Sequence, residues 1–147
     1  DGVLGNPDNE YIRYWMMANC QVLASVDLPV ETFLPRTGTQ TSVLILRRKS
    51  EQEKLAESLS GETGDYQIFM AMAKNVGKDR RGKTVYVRDP EGRELVRQDL
   101  YGVSRDATLL DYYPAVEPSG RIVSDDLPAI AARFNERASG NVARGKN

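Results

Sequence analysis

The chain has no histidine and a single cysteine, Cys20. Histidine is the side chain whose ordinary titration lies nearest neutral pH. Without it, histidine-based general bases, hydrolytic triads and most zinc sites cannot be assembled. A metal site would need carboxylates alone, and none is expected. One cysteine cannot close an internal disulfide, which suits a reducing compartment. No apolar run approaches the roughly 18 residues of a membrane span, and no signal-peptide layout is present. The expectation is a cytoplasmic protein with no membrane partner. A net charge of −1 argues against wholesale attraction to polyanions, while leaving room for a local basic patch. There is no internal repeat and no low-complexity block.

What is present is an ordinary globular composition, 40% hydrophobic and 28% charged over 147 residues, enough for one modest core. Asn6-Pro7 opens a helix expected over 7–20, with asparagine as cap, proline at the first position and Asp8 and Glu10 in the first turn. Ile12, Trp15, Met16 and Asn19 form its stripe at i, i+3, i+4 and i+7. Val22 to Leu28 reads as an interior strand stopped by Pro29, and 42–48, with Val43-Leu44-Ile45-Leu46, as the next. The loop between them fits an antiparallel pair. Ser50-x-x-Glu53 is a capping box for a short helix with Leu55 and Leu59 on one face. Tyr66 to Val76 is ambiguous, with a strand from Gln67 favoured. Thr84 to Arg88, the turn Asp89-Pro90-Glu91-Gly92 and Glu94-Leu95-Val96 read as a hairpin. Residues 101–120 read as irregular. Ser124 would cap a final helix over 125–138, ended by Gly140, with Leu127, Ile130, Ala131 and Phe134 on its stripe and a disordered tail at 141–147. This order is that of an α/β fold.

Several patterns mimic chemistry. Gly77 to Thr84 satisfies the phosphate-loop pattern G-x-x-x-x-G-K-[ST]. That loop needs a helix starting at its Lys-Thr, whereas Lys83-Thr84 runs into Val85-Tyr86-Val87 and a proline turn. The reading is a chance match on a basic loop. Lys78, Arg80, Arg81, Lys83 and Arg88 could meet DNA phosphates, with a solvated loop as the plainer alternative. Asn6-Pro7-Asp8-Asn9 lacks the second proline and the aromatic of the amino-methyltransferase signature, so the helix cap explains it. Asp125-Asp126 fits the positive first turn of the last helix. Met16, Met17, Met70 and Met72 read as core filler, while Tyr112-Tyr113-Pro114 could stack a base or cover a core edge, the core being preferred.

Phe33 is harder to place. It sits among Pro29, Pro35, Gly38, Thr32, Thr37, Thr39 and Thr41, the composition of a loop facing water. It could tuck back as a lid, pack on a partner or stack on a flat ligand, and these grounds leave all three open. Stacking on a base is worth about 1–3 kcal/mol.

Taken together, Asp1-Gly2-Val3-Leu4-Gly5-Asn6, Tyr11-Ile12-Arg13, Leu28-Pro29 through Phe33, Gly38-Thr39-Gln40-Thr41 and Val43 to Leu46 resemble the N6-adenine DNA methyltransferases. The nearest likeness is to the modification (M) subunits of type I restriction–modification systems. Phe69-Met70-Ala71-Met72-Ala73, Gly77-x-Asp79-Arg80-Arg81-Gly82 and Ser124-Asp125-Asp126-Leu127-Pro128-x-Ile130 resemble their later part, so the likeness covers about residues 1–135.

The resemblance implies part of a Rossmann-like methyltransferase sheet, with 22–28 as its sixth strand and 42–48 as its antiparallel seventh. It also implies division into a carboxy-terminal piece of the catalytic domain (1–60), an extension (61–140) and the tail (141–147). Phe33 would stack on the adenine flipped out of the duplex and stand exposed when DNA is absent. Arg36, Thr37, Thr39 and Thr41 would lie by the target strand, with Arg80, Arg81 and Lys83 as further DNA contacts. S-adenosylmethionine is the implied cofactor of the parent enzyme. Its Phe-x-Gly-x-Gly loop and the Asn-Pro-Pro-aromatic motif both stand, in the family, before the point matched by Asp1. Neither occurs in these 147 residues, so no catalytic or cofactor-binding residue is assigned and the piece alone should be inactive. Implied partners are double-stranded DNA and the specificity and restriction subunits, with self-association through an exposed sheet edge.

Overall fold

A computed structural model describes residues 2–96 and 119–144, with side chains up to 138. The expected irregular stretch 101–120 and Tyr112-Tyr113-Pro114 lie almost wholly or wholly outside the described residues. Helices α1 (Gly2–Gly5) and α2 (Glu10–Asn19) are followed by strands β1 (Cys20–Leu28) and β2 (Thr41–Arg48). Helix α3 (Glu51–Ser60), strand β3 (Phe69–Met72) and helix α4 (Leu127–Arg144) complete the named elements. The protein is α/β, with a three-stranded mixed sheet in the order β2-β1-β3. By contacts it divides into two compact units: Asp1–Leu28 with Gln40–Met72, and Pro29–Thr39 with Ala73–Asn147. These lines differ from a partition at residue 60, because the loop after β1 groups with the later residues.

In the first unit, Asn6 Oδ1 accepts the Asp8 N–H at 3.0 Å, and Pro7 begins a single 3-10 turn, Pro7–Asn9, before α2. The expected helix thus starts as a tighter turn. Arg13 Nη1 donates to the carbonyls of Val3 and Asn6, tying α1 to α2. The stripe is rotated from expectation: Ile12, Met16 and Asn19 are half-buried, while Trp15 is 63% exposed, with Tyr11 and Tyr14 on the same outward face. Strand β1 is the interior strand its apolar run predicts. It pairs antiparallel with β2, with a bulge between Val22 and Ala24, and parallel with β3. Ala24, Val26 and Leu28 are buried at every second position, the period-two signature of a strand with one face on a core. Among the described residues β2 pairs only with β1, and Val43 and Leu46 remain exposed.

Helix α3 carries both halves of the capping box. The Ser50 hydroxyl accepts from the Glu53 N–H, and the Glu53 carboxylate accepts from the Ser50 N–H at 2.7 Å. Gly61 closes the helix at φ +70°, the left-handed conformation glycine adopts without a Cβ penalty. Leu55 and Leu59 share a face as expected, but it looks outward, Leu59 being 79% exposed. The inward face is polar instead. Lys49, 5% exposed, pairs with Glu57 at 2.7 Å and donates to the Met17 carbonyl, while Arg47 bridges Glu53 and Gln21.

In the second unit, four short segments meet in antiparallel bridges: Val76 with Asp125, Lys78 with Thr84, Tyr86 with Val123, Arg88 with Glu94 and Val96 with Arg121. Ile122, fully buried, stands at their middle, its carbonyl accepting from Val87 N–H and its N–H donating to the Leu95 carbonyl. The expected hairpin is present, with the Gly92 N–H donating to the Asp89 carbonyl at 2.9 Å. Ser124 is not the cap of the last helix. It is a strand-like residue bonded to Val85 and Gly77, and the Asp126 carbonyl accepts the first helical bond, from Ile130. Asp125 and Asp126 therefore precede the helix rather than lying in its first turn. Asp126 Oδ2 accepts the N–H groups of Lys74 and Asn75 at 2.8 Å each, and Asp125 Oδ1 that of Leu127. Gly140 does not end α4, which continues to Arg144 through the start of the expected tail. A glycine inside a helix costs only about 1 kcal/mol, too little to stop one by itself.

Candidate nucleic-acid interface

Phe33 lies on a loop closed by its own backbone. Thr32 donates to the Pro29 carbonyl through both its N–H and its hydroxyl, at 3.0 and 2.7 Å. The Phe33 carbonyl accepts from the N–H groups of Arg36 and Thr37. The Thr37 and Thr39 hydroxyls share a hydrogen bond of 3.1 Å. Phe33 is 45% exposed, so part of the residue faces solvent and the larger part is covered. Arg36, Thr37 and Thr39 are exposed beside it. Thr41 stands apart: it opens β2 opposite Leu28, and its hydroxyl is closed off from solvent with no hydrogen-bond partner. That oxygen is not offered to a nucleic-acid backbone.

The basic segment is a tight hairpin rather than a phosphate loop, because no helix starts at Lys83. Asp79 accepts the Gly82 N–H on its carbonyl at 3.0 Å and the N–H groups of Arg81 and Lys83 on Oδ1 at 2.8 and 2.9 Å. These bonds, that from Lys83 foremost, hold its carboxyl below the usual range. Gly82 takes φ +80°, which the turn requires. The same bend recurs ten residues on. Asp89 accepts from Gly92 on its carbonyl and from Arg93 N–H on Oδ1, with Gly92 at φ +84°. The pattern Asp-x-x-Gly followed by a cation, present at 79–83 and 89–93, was the available signal that the phosphate-loop match is a turn.

The two segments proposed for DNA contact meet within one unit. Arg80 Nε donates to Glu31 Oε1 at 3.0 Å, and Lys78 Nζ to the Leu34 carbonyl at 3.4 Å. A Cβ placed on Gly82 would lie 3.5 Å from Pro35 Cδ, ordinary contact distance. Glu31 is held below the usual carboxylate range by its own backbone N–H first and by Arg80 second. Glu31 was not singled out by any sequence pattern, since an acid in a loop carries no motif. Arg81 and Lys83 are exposed and make no salt bridge among the described residues, although both act on the Asp79 carboxylate beside them.

A hollow in the first unit is lined by Gln21, Arg47, Lys49, Glu53, Glu57, Gly64, Asp65 and Tyr66. Arg47, Lys49, Glu53 and Glu57 are already bound to one another there. Their charges are therefore matched within the hollow itself. Among the described residues no three acidic or cysteine side chains cluster as a metal site, and no helix is long and apolar enough to cross a membrane. Compared with known proteins, the chain matches no family model, no curated protein and no solved structure.

Proposed function

We propose that the chain is part of a site-specific DNA adenine-N6 methyltransferase, the M subunit of a type I restriction–modification system. In this reading it carries the loop that receives the flipped target base, and the three-stranded sheet is a portion of the Rossmann-like layer. The observation that carries the reading is Phe33, an aromatic left 45% exposed on a self-bonded loop beside a cationic hairpin. A π-face supplies sequence-tolerant stacking, and the neighbouring cations supply phosphate attraction. The parent enzyme would take its methyl group from S-adenosylmethionine, bound by residues outside these 147. The specificity and restriction subunits would be its partners, and its setting the cytoplasm.

The test is Phe33→Ala in the intact methyltransferase. Methylation falls far more than cofactor affinity, whereas equal loss of both counts against the stacking role. Calorimetry of the 147-residue chain with S-adenosylmethionine is expected to show no heat of binding, and clear uptake would overturn the assignment of the cofactor site elsewhere.

A second reading, a docking module without activity of its own, draws on the first unit. Tyr11, Tyr14 and Trp15 form one outward stripe, and Leu55 and Leu59 another. Uncovered apolar surface of this kind marks interaction sites. Salt-dependent DNA binding by the chain with no role for Phe33 would favour it.

A further inference from the structure

We infer that Arg80 and Lys78 are positioning residues for the Phe33 loop, and that only Arg81 and Lys83 of the basic hairpin are spared for phosphates. The inference rests on the proposed DNA reading and divides the hairpin's cations into two jobs. Arg80 is spent on Glu31, two residues before Phe33, and Lys78 on the Leu34 carbonyl, one residue after it. With Gly82 against Pro35, the hairpin grips the loop on both sides of the aromatic. The grip is rigid at its own end, since Asp79 captures the turn's N–H groups. Fixing a loop before it meets its ligand reduces the ordering cost of binding. Arg80 stays 77% exposed, but Glu31 offsets its charge, so it neutralises less phosphate charge than a cation with no salt bridge.

The experiment uses the 147-residue chain and a short duplex carrying one unpaired 2-aminopurine, whose fluorescence reports stacking. Arg81→Gln and Lys83→Gln each lower the slope of log affinity against log salt by about 1. Arg80→Gln leaves that slope unchanged, weakens binding about two- to five-fold, the range of an exposed ion pair, and reduces the stacking signal. Glu31→Gln does the same, the double variant is no worse than either single one, and the exchange Glu31→Arg with Arg80→Glu restores the signal. A slope drop at Arg80, or tighter binding by Glu31→Gln, overturns the inference while leaving the DNA reading in place. Absence of DNA binding, or no effect of Phe33→Ala, removes the DNA reading and this inference with it.

Discussion

Phe33 and Glu53 are both partly exposed, yet they answer to different physics. The ring makes no hydrogen bond, so its removal takes away surface and a π-face. Phe33→Ala loses the covered half of the residue and should lower the unfolding midpoint modestly, while weakening base binding by about 1–3 kcal/mol, checked by titrating variant and parent chain with the same oligonucleotide. Glu53 works through charge. The Arg47 guanidinium foremost, then the Ser50 N–H, lowers its carboxyl from 4.5 to about 2. A group lowered on folding contributes fully above its unfolded value and loses that contribution as the pH falls through its folded one. Acidification from about 4.5 to about 2 should therefore lower the thermal midpoint, and Glu53→Gln should flatten that decline. A slope unchanged in the variant would mean that the ionised Glu53 carboxylate, paired with Arg47 and the Ser50 N–H, adds nothing to stability.

At the scale of elements, turns are where sequence speaks most directly. Asp89-Pro90-Glu91-Gly92 and Ser50-x-x-Glu53 were legible because each position has a local reason, and both formed as expected. Glycines at positive φ let this be measured. Gly92→Ala meets nothing within 4 Å and pays only the backbone strain, about 1–2 kcal/mol. Gly77→Ala adds a Cβ 3.0 Å from Val123 Cγ1 to a similar strain at φ +76°, so it should unfold at lower denaturant than Gly92→Ala. Helix faces were less legible. Periodicity found the Leu55–Leu59 pair and the Trp15 stripe but not their direction, because which stripe turns inward depends on the opposing surface. For α3 that surface offers Arg47 and Lys49, so its acidic side docks. The start of α4 was misplaced because Ser124 is claimed by strand bonds, a long-range demand that local cap preference does not contain.

Across the whole molecule, the α/β class and the β1–β2 pairing followed from the apolar runs, whereas the parallel place of β3 beside β1 and the grouping of the Phe33 loop with residues 73–147 did not. That grouping depends on Glu31, Leu34 and Pro35 meeting a hairpin more than forty residues away, and no local pattern encodes such a meeting. The first unit leaves much apolar surface outward: Trp15, Leu59, and on β3 Met70 at 76%. Trp15 is the sole tryptophan, so the emission of the isolated chain should be that of a water-exposed indole. It should shift to the blue when concentration or an added partner covers that stripe, and emission that is already blue and independent of concentration would show the stripe covered within the chain. The paired bends at 79–83 and 89–93 have a practical consequence of their own. One backbone shape is presented twice, tipped by Arg80-Arg81 in one copy and by Pro90-Glu91 in the other. The molecule thus contains a matched control for its cationic tip, against which changes of charge can be judged on a bend of the same form.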